Sequence, residues 1–138
     1  FNPVANNVLC TAAADYTVRL WDIEAGAEMF KLEGSSTQII QSIAWNYDGS
    51  LIAQLSKDKK LRVIDPRGQT IAQEGDSHPG VKGGRTVWLG KKDKIFTVGF
   101  SRSSQRQYSV WDPKNLSKPL VGPVSIDSAS GIIMPFFD

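Results

Sequence analysis

The sequence predicts an all-β protein made of small antiparallel sheets that repeat along the chain, and three observations lead to this prediction. Short runs that are apolar or alternate between apolar and polar residues follow one another, separated by turns rich in Gly, Asp, Asn and Pro. No apolar stripe with a period of 3.6 residues continues for about ten residues, so no amphipathic helix is indicated. One pattern of a turn, a strand and a terminal Asp also returns three times.

The recurring pattern opens with a turn residue and ends with a large apolar residue followed by Asp. Its copies are 15–22, 58–65 and 105–112, so the large apolar residue is Trp21, Ile64 and Trp111 in turn. These three residues are 43 and then 47 positions apart. A period in the low forties with a Trp-Asp ending is typical of WD40 repeats, each of which forms a four-stranded blade of a β-propeller.

The length of the chain limits how much of a propeller it can form. One blade takes about 40–45 residues, and a closed propeller needs about four to eight blades. With 138 residues, the chain is expected to be a fragment of a WD40 β-propeller with about three four-stranded antiparallel blades. The repeat units are predicted at approximately 1–33, 34–74 and 75–125, with the start of a further blade at 126–138.

The strands can be placed from the positions of the turns. Residues 1–3 are expected to be the end of an inner strand and its turn. The run 8–13 is apolar or small throughout, as suits a strand covered on both faces. Asp48-Gly49 predicts a hairpin. The other strands of the three units are predicted at 16–22, 27–33, 39–45, 51–55, 61–65, 69–74, 85–89, 95–100 and 120–125, together with one strand that ends at 111–112. Residues 132–136 are expected to begin the next blade.

The polar residues of the repeat are predicted to be structural. In WD40 blades a loop His, a strand Ser or Thr, the turn Asp and the strand Trp form a buried hydrogen-bonded series. The set is incomplete here, because Ser35, Gln54 and Ile64 replace its members in the second unit and Gln105 replaces the Asp in the third. The expected structural residues are Thr11, Asp15, Trp21, Asp22, Asp58, Asp65, His78, Trp111 and Asp112.

Three stretches resemble one particular family, the coronins. They are 56–67, then 98–102 with 106–107 and 111–114, and finally 127–131 with 134–136. The combination of Ser-Lys-Asp-Lys-Lys at 56–60 with Gly-Phe-Ser-Arg at 99–102 is the most specific part of the match. The resemblance implies a seven-bladed propeller, of which this chain covers the middle blades.

The resemblance to coronins also implies a function. Coronins are non-enzymatic scaffolds of the cytoplasm and cytoskeleton that bind actin filaments and take part in actin organisation and turnover, so actin filaments are the expected partner, with other actin-regulatory proteins possible. The family's first blade contributes to actin contact, and its C-terminal coiled coil gives oligomers. Neither has a counterpart in these residues, so the resemblance assigns neither the principal actin contact nor oligomerisation to them.

The charge distribution suggests where a partner would bind. The net charge is +2, but residues 57–94 hold ten basic and five acidic side chains, whereas residues 1–56 hold two basic and six acidic ones. An acidic partner would therefore be attracted to the middle of the chain. The loops between the second and third strands of each blade should lie on one rim of the propeller. The basic residues of this rim and of a neighbouring connection are the predicted partner-binding residues: Lys57, Lys59, Lys60, Lys82, Arg85, Arg102 and Arg106. The alternative is that these side chains form only a solvated surface.

Other functional classes find little support in the sequence. His78 is the lone histidine and Cys10 the lone cysteine, so no metal-ligand spacing exists, and Gly80–Gly84 lacks the Lys-Ser/Thr ending of a phosphate loop. We therefore expect no enzymatic activity, cofactor, metal, nucleic-acid partner or membrane-spanning segment. A WD40 interaction platform with a different acidic partner and a nucleic-acid-binding propeller remain the alternatives to actin binding.

Overall fold

The computed structural model describes all 138 residues and consists of three antiparallel sheets. The first sheet contains β1 (Val8–Ala12), β2 (Val18–Asp22) and β3 (Ala27–Leu32); the second contains β4 (Ile40–Trp45), β5 (Ile52–Ser56), β6 (Lys60–Asp65) and β7 (Thr70–Asp76); the third contains β8 (Arg85–Trp88), β9 (Ile95–Phe100), β10 (Arg106–Trp111) and β11 (Val121–Asp127). The only helical segment is a 3₁₀ turn at Gly90–Lys92. The predicted all-β class and repeated antiparallel sheets are confirmed, although the first sheet has three strands and not four.

Within each sheet, every strand pairs with the next one along the chain, and the register repeats from sheet to sheet. Thr11 faces Arg19 in the first sheet, Gln54 faces Arg62 in the second, and Thr97 faces Ser109 in the third. Because the pairing is equivalent, these three pairs occupy the same place in their sheets. The repeat therefore allows the chemistry of one position to be compared three times within one chain.

Two apolar clusters hold the sheets together. Val18, Leu20 and Phe30 of the first sheet meet Ile40, Ile52 and Ile64 of the second. Between the second and third sheets, the cluster contains Ala53, Leu55, Leu61 and Val63 of the second sheet. They pack with Trp88, Ile95 and Trp111 of the third sheet and with Leu116 of the loop that follows β10. Burying one such large aliphatic side chain contributes about 1.5–3 kcal/mol, so the stability of the fold comes mainly from the packing of sheet on sheet.

The amino-terminal residues 1–3 form the expected turn but no strand. Instead, the side-chain oxygen of Asn2 accepts hydrogen bonds from the N–H groups of Val4 and Ala5, and its amide donates to the carbonyl oxygen of Gly49. An Asn side chain that satisfies its neighbouring backbone in this way favours a turn over a strand.

The carboxyl-terminal segment 128–138 contains no strand. It lies alongside β8, because Ile132 approaches Gly83 before that strand and the ring of Phe137 approaches Gly90 after it. The segment therefore runs in the same direction as β8, beside the innermost strand of the third sheet. Residues 132–136, which the sequence analysis assigned to the start of a further blade, have this position without a hydrogen-bonded strand partner.

Candidate functional site

The third sheet contains a buried hydrogen-bonded series centred on His78. The Nε2 atom of His78 lies 2.8 Å from Thr97 Oγ1, and Trp111 Nε1 donates to the same hydroxyl oxygen at 2.8 Å. The side-chain amide nitrogen of Gln107 lies 2.9 Å from His78 Nδ1. With the proton on Nε2, the ring donates to Thr97 and accepts from Gln107, so both nitrogens have partners in the neutral form.

Burial decides the charge of His78. The side chain is only 7% exposed, and this burial lowers the pKa of His78 from 6.5 to about 4. Protonation of Nδ1 would also turn its hydrogen towards the amide donor of Gln107. His78 is therefore neutral at pH 7 and contributes no charge to the surface above it.

The first sheet keeps the Trp-to-hydroxyl contact and adds an ion pair. Trp21 Nε1 donates to Thr11 Oγ1 at 2.8 Å. Asp15 accepts hydrogen bonds from the N–H and the hydroxyl of Thr17, and its other oxygen lies 2.6 Å from Arg19 Nη2. The hydrogen bond from the Thr17 hydroxyl is the main reason that the pKa of Asp15 is lowered. Asp15 thus closes the turn before β2.

The second sheet replaces this arrangement with a charged network around Arg62. Its guanidinium pairs with Asp58 and Glu74, each at 2.6 Å. Burial acts to lower the pKa of Arg62, but the hydrogen bonds that its guanidinium donates to these two carboxylates outweigh burial, and the pKa is raised. Gln54 donates from its amide to the carbonyl oxygen of Ser35 and the hydroxyl of Ser56. Ile64 lies in the core in place of the Trp.

The Asp that ends each repeated pattern closes the next turn. Asp22 accepts from the N–H groups of Glu24 and Ala25, and Asp65 accepts from those of Arg67 and Gly68. Asp112 accepts from the N–H of Lys114. All three carboxylates satisfy backbone donors in a tight turn, which explains why Asp follows the strand in every copy.

The predicted basic residues fall into two groups. Lys60 pairs with Glu74 and Asp76, and Arg106 pairs with Asp127, so these two cations are compensated within the chain. The hydrogen bond to Asp76 is the main cause that raises the pKa of Lys60. Arg85 donates to the carbonyl oxygen of Gly84. Arg85 and the other four form no ion pair; these four are Lys57, Lys59, Lys82 and Arg102.

Three of the five predicted cations that form no ion pair line one cavity at the boundary between the second and third sheets. Lys57 and Lys59 come from the β5–β6 turn, and Lys82 comes from the connection that precedes β8. We call this the lysine cavity; its other walls include Gln41, Ser56 and Gly84. Arg102 lies in the β9–β10 loop and does not line it. No Asp or Glu residue lines the cavity.

Glycines allow the connection before β8 to approach the sheets so closely. A Cβ on Gly84 would lie 2.6 Å from Leu55 Cδ2, and a Cβ on Gly80 would lie 2.5 Å from the carbonyl oxygen of Phe100. The N–H of Gly80 donates to that same oxygen at 2.7 Å. Close backbone approach is a role that only glycine can fill, and here it places Lys82 beside the lysines of the second sheet.

Several of these residues could not be assigned from the sequence. Gln107, and not Gln105, hydrogen-bonds His78, since Gln105 is exposed in the loop before β10. Thr97 went unnoticed because it precedes its Trp by 14 residues, whereas Thr11 precedes Trp21 by 10. The longer loop of the third sheet hides this equivalence, which an alignment of the strands themselves would have found.

The model contains no group of three or more His, Cys, Asp or Glu side chains arranged for a metal ion. No helix of the chain has the length and hydropathy needed to cross a membrane.

Comparisons with known proteins agree with the assignment of the repeat to the WD40 type. The model of the family described as WD domain, G-beta repeat, matches residues 26–65. The coronin-like protein of Saccharomyces cerevisiae is 44% identical over 139 residues, which cover 100% of this chain and 21% of that protein. The coronin-like protein crn1 of Schizosaccharomyces pombe is 44% identical over 138 residues, covering 100% of this chain and 23% of the relative. The chain thus spans less than a quarter of the length of these relatives.

A solved structure is also similar to this chain. The crystal structure of the WD40 domain of Toxoplasma gondii coronin superimposes with a TM-score of 0.93 at 28% identity, over 100% of this chain and 36% of that one. The sheets and their repeated polar residues define the class, which is that of WD40-repeat propeller proteins. Within that class, the chain belongs to the coronin family, and its residues are WD40 propeller sequence of that family.

Proposed function

We propose that the chain is part of a non-enzymatic coronin-type scaffold that binds actin filaments at the cytoplasmic cytoskeleton and takes part in actin organisation. The observation that carries this proposal is the unpaired positive charge at one boundary between sheets, where Lys57, Lys59 and Lys82 lie together without a carboxylate. Actin filaments are acidic, and uncompensated cations attract and orient such a surface. Membership of the coronin family supports the choice of the filament among acidic partners.

The contribution of each cation depends on its present partners. An exposed ion pair contributes only about 0.2–1 kcal/mol, so contact with a filament would need several lysines together. Lys60 and Arg106 would have to give up Asp76 and Asp127 before they could pair with a partner. The unpaired lysines carry no such cost, and we infer that they contribute more to binding than the paired cations.

Co-sedimentation with actin filaments tests this proposal. The assay compares a complete propeller carrying these 138 residues with its Lys57→Glu/Lys59→Glu/Lys82→Glu variant, matched for thermal stability. Three lost pairs of about 0.5 kcal/mol each, before added repulsion, weaken filament binding by about tenfold. Binding of the unmodified protein should also weaken as salt is raised from low to physiological concentration, since exposed charges are screened.

The matched control reverses two lysines elsewhere. Lys91 and Lys92 lie in the 3₁₀ turn between β8 and β9, and the Lys91 ammonium is 5.4 Å from the ring centre of Tyr47. The Lys91→Glu/Lys92→Glu variant has the same charge change per substitution and should pellet like the unmodified protein. Equal loss in both variants would mean that only net charge matters. If the unmodified propeller does not pellet with filaments, actin is not the partner and another acidic protein becomes the candidate.

A further inference from the structure

A cavity of about 370 Å³ opens at the boundary between the first and second sheets. The apolar residues of its wall include Val8, Leu20, Met29, Phe30 and Trp45. We call it the Met29 cavity, and we propose that it binds a large aliphatic side chain, of the size of leucine, on a peptide segment of a partner protein. It shares no residue with the lysine cavity, so this proposal does not depend on actin binding.

The chain itself fills the equivalent place at the next boundary between sheets. By register, Leu20 corresponds to Val63, and Trp45 corresponds to Trp88. Leu20 and Trp45 line the Met29 cavity, whereas Val63 and Trp88 pack in one buried cluster with Leu116. The side chain of Leu116 is fully buried there. The molecule therefore contains its own example of a leucine held at this position between two sheets.

The connections between the last two strands explain why only one of the two places is filled. The connection from β10 to β11 covers residues 112–120 and carries Leu116. The turn from β6 to β7 covers only residues 66–69, and three of its residues lie in the wall of the Met29 cavity: Pro66, Arg67 and Gln69. This shorter turn supplies no aliphatic side chain like that of Leu116, which leaves the cavity open.

A partner would approach the cavity differently from Leu116. A Cβ on Gly75 of β7 would lie 1.9 Å from the carbonyl oxygen of Leu116, so this strand needs glycine to admit the backbone of the loop. By register, Leu32 has the equivalent position in β3. The backbone of a partner must therefore lie farther from the sheets, and its side chain alone enters between them.

The mouth of the Met29 cavity presents apolar side chains to solvent. Met29 is 54% exposed and Val4 is 66% exposed. Met29 has no partner across the strands, because a β-bulge leaves it between the paired residues Phe30 and Glu28. The equivalent bulge in β7 carries the short residue Ala72. Bulges re-aim side chains, and the flexible side chain of Met adapts to an apolar partner. The first sheet thus has a contact residue that the second lacks.

The charges in the wall of the cavity favour an uncharged occupant. Asp48 and Arg67 are the only charged residues that line it. Hydrogen bonds from Ser50 are the main cause that lowers the pKa of Asp48, and the positive charge of Arg67 adds to them. These opposite charges compensate each other, so the complement of the cavity is a neutral apolar group. Its volume lies within the range of about 300–1,000 Å³ that is typical of ligand sites.

Peptide titration of a complete propeller carrying these 138 residues tests the proposal. The probe is the acetylated and amidated peptide Asp-Pro-Lys-Asn-Leu-Ser-Lys-Pro, which has the sequence of residues 112–119. We expect saturable binding by fluorescence anisotropy of the labelled peptide, together with a shift of the Met29 methyl resonance in NMR spectra. Replacement of the leucine of the peptide by Ala should weaken binding by about tenfold or more, since most of the buried apolar area is lost.

Three variants of the propeller separate the cavity from the general surface. Met29→Glu places a charge at the mouth and should weaken binding by about tenfold or more. Met29→Leu keeps the mouth apolar and should bind within about threefold of the unmodified protein. Ile71→Glu is the matched control, because Ile71 is an exposed apolar residue of the outer strand β7 and does not line the cavity. It should bind within about twofold.

The remaining outcomes would overturn the proposal. They are the absence of saturable binding, equal binding of the peptide and its Ala variant, and equal losses for Ile71→Glu and Met29→Glu. N-acetyl-leucine amide tests a free small molecule as the occupant: if it binds as tightly as the peptide, the cavity does not serve a peptide segment. Light scattering tests a second copy of the chain: self-association that Met29→Glu abolishes would make the cavity a contact between copies.

Discussion

The second and third sheets place different chemistry at the same position in the same register. In the third sheet, Thr97 accepts from Trp111 and contacts His78, and the small residue Ser109 faces it across the strands. In the second sheet, Gln54 and Arg62 occupy the equivalent pair. One sheet is tied by neutral hydrogen bonds around an aromatic side chain, and the other by a buried guanidinium between two carboxylates.

The sizes of the residues at these positions differ between the second and third sheets. The third sheet fills the space with His78 and Trp111 and keeps its strand residues small. The second sheet has the small Ser35 in place of the His and Ile64 in place of the Trp, and the long side chains of Gln54 and Arg62 take up the volume. Protein interiors are close-packed, so the small and large side chains balance one another within each of these two sheets.

The comparison also shows a difference in completeness. In the third sheet each named polar atom of the His78 series has a partner. In the second sheet Ser35 Oγ and Gln54 Oε1 are buried without one. An unsatisfied buried polar group costs about 1–3 kcal/mol. The second sheet therefore depends more strongly on the ion pairs of Arg62 than the third depends on any one of its hydrogen bonds.

Removal of Arg62 should have the largest effect. Arg62→Met keeps the apolar stem but leaves Asp58, whose side chain is 11% exposed, without its cation. Breaking one partner from a buried ion pair costs about 3–5 kcal/mol, and urea denaturation of the chain would measure this loss. Arg19→Met in the first sheet is the matched control, because Arg19 occupies the equivalent position but its side chain is 30% exposed. Its loss should be about 1 kcal/mol or less.

A double variant sharpens this test. Asp58→Asn together with Arg62→Met removes both charges of the pair, so it should recover part of the stability that Arg62→Met alone loses. If Arg62→Met and Arg19→Met cost the same, burial does not set the difference between the two sheets, and the contrast drawn here is wrong.

The sequence predicted the repeat well because the repeat is local. Each strand and its closing Asp are specified within about ten residues of chain, and Asp22, Asp65 and Asp112 all close turns as that pattern requires. The turn expected at residues 1–3 is also local, and the Asn2 side chain accepts hydrogen bonds from the backbone N–H groups that follow it.

The charged site was less predictable, because it depends on contacts between distant residues. The sequence identified seven cations, but not that Lys60 and Arg106 have carboxylate partners on the neighbouring strands β7 and β11. It also could not show that Lys82 lines the same cavity as Lys57 and Lys59. Cross-strand pairs follow from register, and register follows from turn lengths that vary between the repeats.

Acidification should weaken the third sheet specifically. His78 has a pKa of about 4 in the folded chain and an ordinary value of 6.5. Between these two pH values His78 is therefore protonated in the unfolded chain but neutral in the folded chain. Stability is therefore full above pH 6.5 and falls as the pH approaches 4, by on the order of 3 kcal/mol for a shift of this size. Urea denaturation at pH 7, 6, 5 and 4.5 would measure the slope.

The chain offers a clear control for this pH dependence. His78 is its only histidine, so no other side chain has an ordinary pKa between 5 and 7. His78→Gln should be less stable at pH 7 but should lose the slope between pH 6.5 and 5. If the slope persists in that variant, it arises from another group and the neutral His78 series is not its cause.

The smallest difference is expected between two threonines that accept from a Trp in their own sheets. Thr97→Val removes the hydroxyl that serves both Trp111 and His78, and leaves their buried nitrogens without a partner. Thr11→Val removes the hydroxyl that serves Trp21 alone, where Thr11 and Trp21 are only partly buried. Orphaned buried donors cost about 1–3 kcal/mol each, whereas partly exposed ones can turn to water. Thr97→Val should therefore destabilise the chain by about 2 kcal/mol and Thr11→Val by less than about 1 kcal/mol. Equal losses in urea denaturation would show that the hydrogen bond to Trp, and not the second bond to His78, sets the strength of this position in both sheets.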